Sequence, residues 1–165
     1  MKKSTTTTIL LSLALALSLT LGLPSQSLAQ FSTPTESVQS MLDEVLAILR
    51  APDFDLARDK QDIDAVVSAA FDSNTIAQSV LASSYRELDA QQGAEFEELF
   101  FSILKATYIE RLDAYTDESI EVTGEEVDGN RGTVMSLIYA SNSNIAVNYS
   151  LRQRPNGWFV YDIIV

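Results

Sequence analysis

The 165-residue sequence contains no cysteine and no histidine. Without cysteine there is no disulfide to staple a fold, so the chain must stand on packing alone, and the lipid-bearing cysteine of a bacterial lipoprotein anchor is missing too. Without histidine, Ser-His-Asp and Cys-His catalysis and the usual zinc sites are excluded. Positive charge is also scarce: 11 Lys and Arg stand against 23 Asp and Glu, a formal net charge of −12. Such a surface repels nucleic acid and anionic lipid headgroups alike, which sets nucleic acid aside as a partner. A solvated surface adapted for solubility explains the acidity equally well.

Long apolar runs are scarce as well, and the one present is N-terminal. Met1 to Ala29 has Lys2 and Lys3 as a positive n-region, Ile9 to Leu23 as an apolar run and Ser27-Leu28-Ala29 as a small-x-small cleavage site. The run is short for a bilayer span and is interrupted by Ser12, Ser18, Thr20 and Gly22, so it reads as a cleaved signal peptide. Its removal takes two lysines away, which moves the net charge from −12 to −14. Residues 30–165 then suit a single domain with one core, and they offer no other segment for stable membrane insertion. The expected compartment is the periplasm of a Gram-negative bacterium.

Tyr85 to Tyr115 is the stretch around which the chain is organised. Asp89 with Gln92 three residues on makes a capping box. Behind it Phe96, Leu99, Phe100, Ile103, Leu104 and Tyr108 recur at spacings of three and four, an amphipathic stripe that needs a partner. About 25 helical residues would reach ~38 Å, enough to lie across a small sheet.

Three helices are expected before it. Thr33-Pro34-Thr35-Glu36 supplies cap, first-turn proline and capping-box glutamate for a helix through Val38, Met41, Leu42, Val45, Leu46 and Leu49 to Arg50, ended by Pro52. Asp59 with Asp62 opens a second carrying Ile63, Val66, Val67 and Ala70, which ends near Phe71. Asp72 or Ser73 caps a short third through Ile76, Ala77, Val80 and Leu81.

After Tyr115 the apolar period changes to two and turns punctuate the chain. The expected strands are Glu118 to Val127, Gly132 to Ala140, Ile145 to Leu151 and Trp158 to Val165, joined at Asp128-Gly129-Asn130, Ser141 to Asn144 and Pro155-Asn156-Gly157. Short turns between consecutive strands make an antiparallel meander, and helices gathered before it make an α+β fold. Apolar residues point to both faces: Met135, Leu137 and Tyr139 oppose Val134, Ile138 and Ala140, and Trp158, Val160 and Ile164 oppose Phe159, Tyr161, Ile163 and Val165. A pocket on one face and a sheet with ordinary core on both faces each fit this pattern.

The order of elements resembles the MlaC family of periplasmic toluene-tolerance and phospholipid-binding proteins. The carriers are Phe71-Asp72 with Ile76-Ala77 and Val80-Leu81; Tyr85-Arg86 before Gln91-Gln92; Phe96, Phe100 and Tyr108 through Leu112 to Tyr115; and Val147 and Tyr149 before Gly157-Trp158-Phe159-Val160-Tyr161-Asp162-Ile163. The resemblance implies three N-terminal helices and one long helix packed on a four-stranded antiparallel meander, cone-like, with an apolar pocket. It implies a phospholipid carrier that uses no cofactor, bound lipid being its cargo. The implied partners are an inner-membrane ABC transporter complex and an outer-membrane lipoprotein complex, served by a monomer.

The pocket residues implied are Ile76, Val80 and Tyr85; Phe96, Leu99, Phe100, Ile103, Leu104 and Tyr108 on the long helix; and Leu137, Tyr139, Val147, Tyr149, Trp158 and Val160 on the sheet. The chain departs from the family at Ala82 and Tyr85, where glycine and often tryptophan follow the Val80-Leu81 pair. It also stops at Val165, where members continue into a further helical segment, so that a truncated or shortened member is expected. Two rival functions remain open on the residues: a small cone-fold enzyme using Asp162 as a general base, and a cell-envelope interaction module without lipid. The acidic residues Glu121, Glu125, Glu126 and Asp128 lack the order of a calcium loop and read as a solvated loop. Arg111, Arg131, Arg152 and Arg154 are candidates for a phosphate contact or for surface ion pairs.

Overall fold

The computed structural model describes residues 31–140 and 143–165. The signal peptide expected over 1–29, and Ser141 and Asn142 of the expected turn, lie outside the described residues. The elements are α1 (Pro34–Leu49), α2 (Leu56–Ala70), α3 (Ser73–Leu81), a 3-10 turn (Ala82–Glu87), α4 (Ala90–Ile109), a second 3-10 turn (Glu110–Ala114), then β1 (Ser119–Asp128), β2 (Arg131–Tyr139), β3 (Asn144–Arg154) and β4 (Gly157–Ile164). The strands form one antiparallel sheet in the order β1-β2-β3-β4. This is the expected α+β meander.

α1 opens on Thr33, whose side chain accepts from the Glu36 N–H while the Glu36 carboxylate accepts from the Thr33 N–H. The helix lies on the sheet. Val38, Met41 and Leu42 pack against Val134, Val147, Tyr149, Leu151, Trp158 and Val160 in one buried cluster. Polar pins fix its start: the Ser37 hydroxyl donates to the Trp158 carbonyl at 2.8 Å, and the Thr35 N–H donates to the Glu125 carboxylate at 2.6 Å. Pro34 sits so close to β2 that a Cβ on Gly132 would stand 2.5 Å from its ring.

α2 starts one turn earlier than the Asp59–Asp62 reading places it. Asp55 accepts from the Arg58 N–H while the Asp59 carboxylate accepts from the Asp55 N–H, a reciprocal cap made of two aspartates. A second buried cluster of Leu49, Ile63 and Ile109 joins α1, α2 and the end of α4. Asp72 caps α3, accepting from the Thr75 N–H.

Two bulges alter the expected faces. β1 has one extra residue between Val122 and Gly124, so Ile120 and Val122 face the helices, as does Glu125 beyond the bulge. That shift is what brings Glu125 to the N-terminus of α1. In β4, Leu151 pairs with Val160 but Ser150 with Asp162, so Tyr161 is extra. Ile163, opposite Tyr149, therefore turns to the helix side with Val160, and Ile164, opposite Asn148, turns away. This reverses the alternation expected for Ile163 and Ile164.

Candidate functional site

The apolar stripe of the long helix does not find its partner in the sheet. α4 packs chiefly on α3, α2 and the 3-10 turn that follows it. Its start is as expected, with Asp89 and Gln92 capping each other, and it is twenty residues long before the helix tightens into the 3-10 turn. Gly93 is buried against Tyr85, and a Cβ there would stand 3.3 Å from the Tyr85 hydroxyl.

What fastens α4 is its polar face. The Glu97 carboxylate accepts from the Ser73 hydroxyl at 2.6 Å and from Asn74 Nδ2 at 2.9 Å. Two turns on, Lys105 Nζ donates to the Asp64 carboxylate at 2.9 Å and to the Ser68 hydroxyl at 2.8 Å, and lies 5.0 Å from the centre of the Phe101 ring. Phe101, between them, packs 6.0 Å from Phe71, which bridges to Val160 of β4. Glu97, Phe101 and Lys105 follow one another at intervals of four, a second helix face distinct from the longest apolar stripe.

With that face inward, the apolar stripe is turned out. Leu99 is 57 % exposed and Ile103 63 %, while Phe96 and Phe100 stack on each other at 5.4 Å and are half-buried with Leu104. Val80 and Tyr108 are exposed too, the latter beneath the Arg111 guanidinium. Tyr85 is half-buried and Ile76 buried. The sheet residues go elsewhere. Val147, Tyr149, Trp158 and Val160 meet in the core beneath α1, where burial pushes the Tyr149 phenol up and keeps it neutral. Leu137 and Tyr139 lie on the far face, with the Tyr139 hydroxyl donating to Glu121 at 2.8 Å. The fifteen residues thus divide into a buried sheet group, a pair on the far face and a helical group that, Ile76 apart, borders solvent. At one end of the sheet the helix-side face is also open: Ile145 and Ile163 are 38 % and 41 % exposed.

The best-formed clefts among the described residues are shallow. One of about 270 Å³ lies between α3 and α4, lined by Ser73, Glu97, Phe101 and Lys105; another of about 470 Å³ lies at Leu49, Arg50 and Tyr115. Each is open to solvent, and neither includes Leu99 or Ile103 of the exposed stripe. α3 is locked to the β3–β4 hairpin by Arg154, whose Nε donates to Asp72 at 2.8 Å and whose NH2 donates to Thr75 at 2.8 Å. Burial would raise the Asp72 pKa, but the Thr75 N–H and hydroxyl and the Arg154 guanidinium outweigh it and hold the carboxyl below its usual range. Asp162 is exposed on the far face, opposite Ser150. Among the described residues no three acidic groups converge as a metal would need, and no helix is long and apolar enough to cross a membrane.

A family profile described as MlaC protein matches residues 39–165, from within α1 to the last residue. The chain belongs to the MlaC family. Among solved structures, a phospholipid-binding protein from Ralstonia solanacearum, determined in complex with a phospholipid, superposes at a TM-score of 0.71. It is 23 % identical, with 79 % of this chain and 76 % of that chain covered, and it shows that the two proteins share a fold. A SEC-C motif containing protein from Rhodopseudomonas palustris, 14 % identical over 81 % of this chain and 91 % of that one, reaches a TM-score of only 0.30, too low to indicate a common fold. No curated protein matches the sequence.

Proposed function

We propose that this MlaC-family protein is a periplasmic phospholipid carrier. Acyl chains are held against the outward stripe of α4 and the open end of the sheet, and lipid passes between an inner-membrane ABC transporter complex and an outer-membrane lipoprotein complex. The supporting observation is a helix fastened by Glu97 and Lys105 that leaves Leu99 and Ile103 57 % and 63 % exposed. An apolar face uncovered in this way is costly in water and is relieved by an apolar ligand. At ~0.8 kcal/mol per buried methylene, a tail of about fifteen gains on the order of 12 kcal/mol before ordering costs. Burial alone suffices, and the lipid is cargo rather than cofactor.

In this reading residues 1–29 are removed on export and 30–165 act as one monomeric domain. The net negative charge keeps the carrier off anionic leaflets, so that loading and unloading run through docking on proteins. The Ralstonia relative, solved with a phospholipid, supports the assignment of ligand class. The carrier is read as non-catalytic: Asp162, the carboxylate that a cone-fold enzyme would use, stands exposed on the far face.

A second reading, an envelope interaction module without lipid, draws support from the filled core beneath α1 and the shallow clefts. Native mass spectrometry of protein purified from periplasm, followed by organic extraction, separates the two. The carrier gives about one phospholipid per chain; an apo mass that persists after incubation with vesicles leaves the interaction module.

A further inference from the structure

Two arginines stand side by side on the far face of the sheet, with no carboxylate among the described residues closed on either. In the β2–β3 ladder Arg131 is the direct partner of Arg152, and Thr133 of Ser150. Side chains alternate along a strand, so these four share one face, opposite to Gly132, Val134, Tyr149 and Leu151, which lie towards α1. Directly opposed side chains stand ~4.5–5.5 Å apart at Cβ, and like charges in that position destabilise the pair. The chain has 23 acidic residues, yet no ion pair among the described residues involves Arg131 or Arg152.

The Arg152 Nε is buried and has no hydrogen-bond partner among the described residues, an arrangement that is ordinarily unfavourable for a charged group. Its guanidinium lies 5.9 Å from the ring centre of Tyr161, the extra residue of the β4 bulge. The Thr133 and Ser150 hydroxyls are likewise unbonded among the described residues. Three carboxylates face this square from the neighbouring strands: Asp128 opposite Arg131 and Glu126 opposite Thr133 on β1, and Asp162 opposite Ser150 on β4. None of them comes within 4.0 Å of either arginine.

We propose that Arg131, Arg152, Thr133 and Ser150 form a binding site for a phosphate oxyanion, the chemistry that a phosphodiester headgroup and free phosphate share. Two guanidinium forks and two hydroxyls supply convergent donors of the kind that phosphate oxygens accept. An anion seated there relieves the repulsion between the paired cations. The flanking carboxylates disfavour a dianion and leave acceptors for an ammonium, which places a zwitterionic phosphodiester ahead of inorganic phosphate. The site lies on the face turned away from α1 and stands independently of the acyl-chain reading of α4.

The test is NMR of the 15N-labelled protein, following the arginine Nε–H resonances during titration with glycerophosphoethanolamine and, separately, with inorganic phosphate at matched ionic strength. A saturable shift of the Arg152 Nε–H with either probe, weakened about tenfold in Arg131→Gln, supports the site. Arg131 is exposed, so that variant is expected to fold. The probe that saturates at the lower concentration identifies the source as headgroup or free phosphate. The absence of a saturable shift with both probes, or a shift that Arg131→Gln leaves unchanged, overturns the proposal.

Discussion

Both α1 and α4 open on a complete capping box and repeat apolar residues every three or four positions. Yet Val38 and Leu42 of α1 are 0 % and 8 % exposed, whereas Leu99 and Ile103 of α4 are 57 % and 63 % exposed. The difference lies in the opposite faces of the two helices. The polar residues of α1 bond mainly within the helix, as Gln39 does to Asp43 and Ser40 to Glu44, so its apolar face is what docks. α4 has Glu97 and Lys105 with partners waiting on α3 and α2, so its polar face docks and its apolar face stays out. Amphipathicity states that a face must be covered; the polar partners decide which face the chain itself covers.

The largest loss is expected at the seat of α1. Leu151, fully buried beneath that helix, is expected to cost ~2–5 kcal/mol as Leu151→Ala in urea unfolding. A smaller loss is expected where α1 meets β2 most closely: Gly132→Ala must push the Pro34 ring away, at ~1–3 kcal/mol by the same assay.

On the α3 side the Asp72 carboxylate anchors the hairpin through Arg154. Asp72→Asn keeps a capping side chain but loses the charge, and is expected to cost ~1–2 kcal/mol at neutral pH. Because the folded pKa of Asp72 is depressed, its contribution is complete above the unfolded value of about 4 and is lost as pH falls through the folded value. The gap between variant and wild type should therefore close on acidification, as pH-dependent unfolding would reveal. The smallest effect has the opposite sign. Ala82 has φ 49 and ψ −117, backbone that glycine adopts freely, so Ala82→Gly should raise stability by ~1 kcal/mol in thermal unfolding.

Much of this architecture was legible in the sequence because its signals are local. Thr33-Pro34-Thr35-Glu36 and Asp89 with Gln92 start their helices where capping chemistry puts them, and alternation located all four strands to within a few residues. The α2 start was hidden because its cap pairs two aspartates, a combination outside the usual capping-box signature. The bulges at Thr123 and Tyr161 were hidden because an extra residue looks like any other in an alternating run, though it carries Glu125 to the α1 terminus and exchanges the faces of Ile163 and Ile164. Nor does periodicity name a partner. The stripe of α4 was evident, whereas its fastening through Glu97, Phe101 and Lys105 depends on residues twenty to forty positions away.

Whether the outward stripe of α4 is a lipid surface is decided by lipid occupancy in the double variant Leu99→Asp, Ile103→Asp, measured by native mass spectrometry beside its urea midpoint. Both positions are exposed, so the fold is expected to hold with only a small change in stability, while two charges on the stripe should abolish phospholipid binding. A folded variant that still carries wild-type amounts of lipid would place the binding surface away from α4.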